Sequence, residues 1–134
     1  MAKARISAAD GRAALGAALA PGAPRPATAT AVRFLLQELA DTAPGGTLEV
    51  RVPPFGAVQC VAGPKHTRGT PPNVVEMSAE VWLRLATGRL DWDAALADAS
   101  VLASGSRATL AGLLPVLTAP AATAQPGPSE DLRE

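Results

Sequence analysis

The 134-residue sequence is poor in the side chains that usually carry chemistry: it holds one histidine, one cysteine, two phenylalanines, two tryptophans and no tyrosine. Each scarcity narrows the field. A single cysteine, Cys60, cannot form an intramolecular disulfide, so nothing in its use points to an oxidising compartment, and the expected location is cytoplasmic. One His, one Cys and scattered acids give no ligand spacing for a metal, so no metal is expected. No glycine-rich fingerprint follows a strand and opens a helix, and no cofactor is expected either. Net charge is also missing. Twelve Lys plus Arg balance twelve Asp plus Glu, which removes the positive field of a nucleic-acid binder. No segment approaches the ~20 consecutive apolar residues of a membrane span. The amino terminus, Met-Ala-Lys-Ala-Arg, leads into Ser7, Asp10 and Arg12 rather than the apolar stretch of a signal peptide. Contact with a membrane would therefore be transient and from its surface.

What remains is a chain 48% hydrophobic that must build its core mostly from Leu and Val. That is enough for one core and little more. Ser7 followed by Asp10 has the spacing of a helix cap, and Leu15, Ala18 and Leu19 recur at helical intervals before Pro21-Gly22. Pro21 to Pro26 is expected as a stiff connector. From Thr28 the helical stripe is clearest, with Val32, Leu35, Leu36 and Leu39 on one face until Pro44-Gly45-Gly46 ends it. The period then falls to two: Leu48, Val50 and Val52 alternate with Glu49 and Arg51, the pattern of a half-buried strand. Ala57 to Val61 resumes the extended run after Pro53-Pro54-Phe55-Gly56, as in a hairpin, and Asn73 to Met77 is a third strand.

Farther on, Ser78 is placed to cap a helix with Val81, Trp82, Leu85 and Ala86 on one face, and Gly88 offers its stop. Asp91 is placed to cap a short helix through Ala99. Val101 to Gly105 reads as a fourth strand, and Ser106 as the start of a last helix carrying Leu110, Leu113 and Leu114 up to Pro115. The expected organisation is an N-terminal helix and linker over 1–26, a main domain over 27–117 and a disordered tail over 118–134. Helices, then strands, then helices with one late strand argue for an α+β fold. Its largely antiparallel sheet, of four strands as placed here, should be covered by helices on one face.

The candidate chemistry is thin. A thiolate–imidazole pair from Cys60 and His66 is conceivable, but a cysteine in a strand is more often buried and inert. No catalytic residue is assigned and an enzyme is not expected. The loop Gly63 to Pro72 contains Lys65, His66 and Arg68. Its plain reading is a proline-stiffened connection with solvated charges. Its sharper reading is an anion contact, a lipid headgroup or a carboxylate, made by Arg68 with His66.

Two stretches carry a resemblance. The order Ala86-Thr-Gly-Arg-Leu90, Asp91-Trp-Asp-Ala-Ala-Leu96 and Ala103-Ser-Gly-Ser106 resembles the sterol carrier protein family. The segments Arg51 to Gln59 and His66 to Glu76 are similar to the bacterial branch of that family found in actinobacteria. The likeness runs from about Thr28 to Leu117. It implies a twisted sheet, usually of five strands, with helices on one face and an apolar tunnel between them for a sterol, fatty acyl chain or similar lipid. On that footing the tunnel walls would be Val50, Val58 and Val74 from the sheet with Leu35, Leu39, Trp82, Leu85, Leu113 and Leu117 from helices. The alternative is an accessory domain whose core is simply filled, forming a homodimer through the small residues between Gly11 and Leu19.

Overall fold

The structure, a computed structural model, describes residues 5–63 and 73–117. The expected anion-contact residues His66 and Arg68, and the expected disordered tail over 118–134, lie outside them.

The chain begins with α1 (Ala8–Ala18), whose cap forms as the sequence implies: Ser7 Oγ accepts from the Asp10 amide at 3.1 Å. The longest helix, α2 (Arg25–Thr42), starts earlier than Thr28. Pro26 falls in its first turn, where a missing N–H costs nothing, so the connector is shorter than the run of prolines suggests. Ala31, Val32, Phe34, Leu35, Leu36 and Leu39 are buried along it.

Strands β1 (Leu48–Val52) and β2 (Gly56–Cys60) form the hairpin, with Val52 opposite Gly56 and the Phe55 amide donating to the Val52 carbonyl at 2.9 Å. Strand β3 (Asn73–Met77) lies on the other side of β1 and runs parallel to it, while β4 (Val101–Ser104) is antiparallel to β3. The sheet order is β2-β1-β3-β4. Two of its three pairings are antiparallel, so the α+β assignment with a largely antiparallel four-stranded sheet is correct. The parallel pair arises because Leu48 faces both Cys60 and Asn73. β2 therefore ends, and β3 begins, on either side of the first residue of β1.

Between β3 and β4 come α3 (Ala79–Ala86) and α4 (Trp92–Ala97), capped by Ser78 and Asp91 as expected. Gly88, at φ +80°, closes α3: its left-handed turn lets the Arg89 amide reach back to the Arg84 carbonyl at 2.8 Å.

The last expected helix does not form. Residues 105–117 are turns and irregular backbone. Gly112 takes φ +84°, outside any right-handed helix, and Pro115 restricts the residue before it. Fewer than ten residues between Gly105 and Pro115 cannot repay the cost of nucleating a helix interrupted in that way. The segment is held instead by contacts to α3: the Val116 and Leu117 amides donate to the Ala86 carbonyl at 2.8 and 3.1 Å, satisfying an acceptor at the helix end.

Two further contacts set the frame. Asn73, buried at the start of β3, donates to the Thr47 carbonyl at 3.0 Å and accepts from the Arg107 amide at 2.8 Å, tying together the entries to β1 and β3 and the exit from β4. Gly11 faces the Phe34 ring so closely that a methyl group there would stand 2.3 Å from it. The small residues of α1 thus serve, at this position, a close approach to α2 within the chain. Gly16 has open space around it.

These differences predict opposite outcomes for the same substitution. Gly11→Ala overpacks the α1–α2 contact and should cost about 1–3 kcal/mol. Gly16→Ala gains helix propensity and should stabilise by up to about 1 kcal/mol. Thermal unfolding of the two variants followed by circular dichroism checks both signs.

Candidate functional site

A lipid site built from the expected residues would need them to share one space. The structure brings most of them together as solid packing. Leu35, Leu39, Val50, Trp82 and Leu85 are all essentially inaccessible to solvent and belong to one core cluster. Trp82 is fixed within it by its indole N–H, which donates to the Val32 carbonyl at 3.3 Å. Val58 is half-buried and packs against the cluster from β2.

Val74 is not among them. It pairs with Glu49, whereas Val75 pairs with Val50 and is the buried residue. Side chains alternate along a strand, so one position decides the face. The strand begins with an inward Asn73 held by Thr47 and Arg107, and this puts Val75 and Met77 inside with Val74 and Glu76 outside. The uncovered sheet face also carries the Glu49–Arg51 ion pair and the exposed Leu102. Leu113 and Leu117 sit on the turns after β4, half-buried against the core rather than on a helix.

Among the grooves of the described surface four stand out, and each is open to solvent. One of about 450 Å³ lies between the α3–α4 turn and the 110–115 segment, where Leu85, Trp92, Leu110 and Leu114 alternate with Arg89, Asp91 and Asp93. A second, of about 510 Å³, is bounded by the end of α1, the start of α2 and α3, with Glu80, Arg84 and Arg89 in its walls. A third, of about 320 Å³, lies on the charged sheet face beside Glu49, Arg51 and Glu76.

The fourth differs in kind. At the β2 edge of the sheet α2 overhangs the hairpin and leaves a groove of about 320 Å³, floored by Ile6, Leu36, Ala40, Phe55 and Val58. Its sides are built from the chain's own polar contacts. Gln37 holds the backbone of Ile6 at both atoms, accepting from its amide at 3.0 Å and donating to its carbonyl at 2.8 Å. Arg5 pairs with Asp41 at that end, and the pair holds the Asp41 carboxyl below its usual pKa. Toward the other end Arg33 Nε donates to the Phe55 carbonyl at 2.9 Å, and the guanidinium of Arg25 lies over the Phe55 ring, 4.9 Å from its centre. The expected residues enter the four grooves at only two points: Leu85 in the first and Val58 here.

Sequence reasoning missed Ile6, Leu36 and Phe55 as groove residues and Asn73 as a staple. Leu36 was visible on the helical stripe and Phe55 in the hairpin turn. The fold that joins them to the amino-terminal segment was not.

A family comparison bears on this arrangement. A family model described as "Bacterial SCP ortholog", SCP denoting sterol carrier protein, matches residues 24–116. The chain belongs to that family. The match begins at the cap of α2 and ends on the segment docked against α3, so it covers the whole sheet and leaves α1 outside. No curated protein matches the chain. The family connects the fold to lipid carriage, and among the described residues no helix is long and apolar enough to cross a membrane.

Among the described residues no three His, Cys, Asp or Glu side chains are grouped to hold a metal. Cys60 ends β2 fully buried, and desolvation pushes its thiol up to about 11. A thiol so held stays protonated and is a poor nucleophile at neutral pH. The native protein should therefore resist a thiol-specific chromogenic reagent at pH 8 and react fully once unfolded. The raised pKa also makes a stability statement. Below about pH 9 the thiol is protonated in both states and the effect is absent. Above it the unfolded chain ionises first, so stability falls by about 2–3 kcal/mol as pH rises toward 11. Cys60→Ala should remove that alkaline loss in urea titrations at pH 8 and 10.5.

Proposed function

We propose that this protein is a non-catalytic lipid carrier which takes an apolar chain in the gap between α2 and the β1–β2 hairpin. The observation that carries the reading is the groove over Ile6, Leu36, Ala40, Phe55 and Val58, where the space between helix and sheet is open and its floor is apolar. Burial of the ligand's hydrocarbon supplies the driving force, about 25 cal/mol per Å² removed from water. A groove of this size is at the small end of ligand sites. It suits one acyl chain better than a pair of chains or a sterol ring system lying flat. Membership of the sterol carrier family supports lipid as the ligand class. The fully packed region around Trp82, Leu85 and Val50 serves as the rigid wall behind the groove.

The packed core also supports a second reading. If Leu35, Leu39, Val50 and Trp82 fill their space completely, the domain works without a ligand, as an accessory unit that pairs with itself or another protein.

Organic extraction and native mass spectrometry of the purified protein separate the two. Co-purifying lipid, and displacement of a fluorescent fatty acid by unlabelled fatty acid, are the expected results. A clean unliganded spectrum with no probe binding, combined with a dimer in sedimentation, would establish the second reading instead. Val58→Asp puts a charge on the groove floor and should weaken probe binding by roughly tenfold or more. Leu102→Asp, on the far face of the sheet, should leave it unchanged.

A further inference from the structure

The groove is electrically lopsided. At the α1 end its cation, Arg5, is already matched by Asp41. At the hairpin end Arg33 lines the wall and Arg25 lies over the ring of Phe55, a groove residue; among the described residues neither forms an ion pair. Both are nevertheless held in place by the same residue. Arg33 is anchored through Nε to the Phe55 carbonyl, which leaves its two terminal amino groups without a hydrogen bond among the described residues. Arg25 is held over the Phe55 ring, whose face attracts a cation. The stem of Arg33 runs along Gly56, on the groove's own wall.

Among the described residues, then, Arg33 on the groove wall and Arg25 over the ring of Phe55, itself a groove residue, are held in place with no protein anion paired to them. A guanidinium presents N–H donors in a planar fork that fits a carboxylate or phosphate. At the groove's other end the Arg5 guanidinium is already engaged by Asp41, so it offers such a group no free partner. From Arg33 to Asp41 the helix advances about 12 Å, which gives the ligand a direction as well as a place.

We infer that Arg25 and Arg33 read the headgroup of a single-chain anionic amphiphile whose tail lies over Leu36 and Val58 toward Ile6. The inference rests on the proposed lipid groove and adds to it a ligand charge, an orientation and two specificity residues. It accounts for why a hairpin turn should hold two arginines at one phenylalanine: they are positioned before the ligand arrives, so less side-chain entropy is lost on binding.

The test compares a fluorescent long-chain carboxylic acid with the long-chain alcohol bearing the same fluorophore, on the full-length wild type and on the Arg25→Gln/Arg33→Gln double variant. Both positions are solvent-exposed, and circular dichroism verifies the fold. Wild type should prefer the acid by about tenfold. The double variant should lose that preference while its affinity for the alcohol stays within twofold, and 0.5 M salt should narrow the preference in wild type alone. Equal binding of acid and alcohol by wild type, or an unchanged preference in the double variant, overturns the inference and leaves the apolar groove standing. Binding of neither probe overturns both. Failure to bind the soluble acid, together with arginine-dependent sedimentation on phosphatidylglycerol vesicles, would assign the pair to a membrane surface and likewise overturn the inference.

Discussion

Everything in this small fold depends on burying α2 on several sides at once. Its Phe34 meets α1, its Leu35 and Leu39 join the core over the sheet, its Leu36 reaches toward the hairpin, and the Val32 carbonyl receives the Trp82 indole from α3. A helix with an apolar arc this wide cannot be satisfied by the sheet alone. It needs α1 on its outer side, which is why a glycine stands opposite Phe34. The chain has few large side chains to spend, so this one helix organises almost the whole interior, and the sheet is its platform.

The same economy explains the contrast between core and groove. With two tryptophans and two phenylalanines in the chain, the centre is packed by Leu, Val and Trp82 until no exposure remains. An interior that dense resists opening, because every lost contact forfeits dispersion as well as burial. One space that stays accessible between helix and sheet lies where packing runs out, at the β2 edge, under the overhang of α2. A carrier built this way would receive its cargo at the margin of the core instead of through its middle.

How much could be read beforehand follows the same physics. Periodicity and caps are local, and they located α2, the hairpin, β3 and the capped helices with Ser7, Ser78 and Asp91 each in place. Two errors came from non-local effects. Val74 and Val75 are equally apolar neighbours, and only the inward Asn73, bonded to Thr47 and Arg107, decides between them. The leucines after Gly105 are spaced as in a helix, yet Gly112 and Pro115 leave too little uninterrupted chain, and docking on Ala86 replaces the helical ladder. The groove was invisible for a different reason. Its floor joins Ile6, Leu36 and Val58 from three distant stretches, and no spacing rule connects them.

The staple at Asn73 has one more implication. On the other side of the β2–β3 connection, Val61 is held by its amide to the Ala43 carbonyl and by its own carbonyl to the Thr47 amide, at 2.7 and 3.1 Å. Both feet of the connection, Val61 and Asn73, are therefore tied to the segment that leads into β1. The register of β2 and β3 against β1 is thus pinned by contacts outside the ladder as well as by the ladder itself.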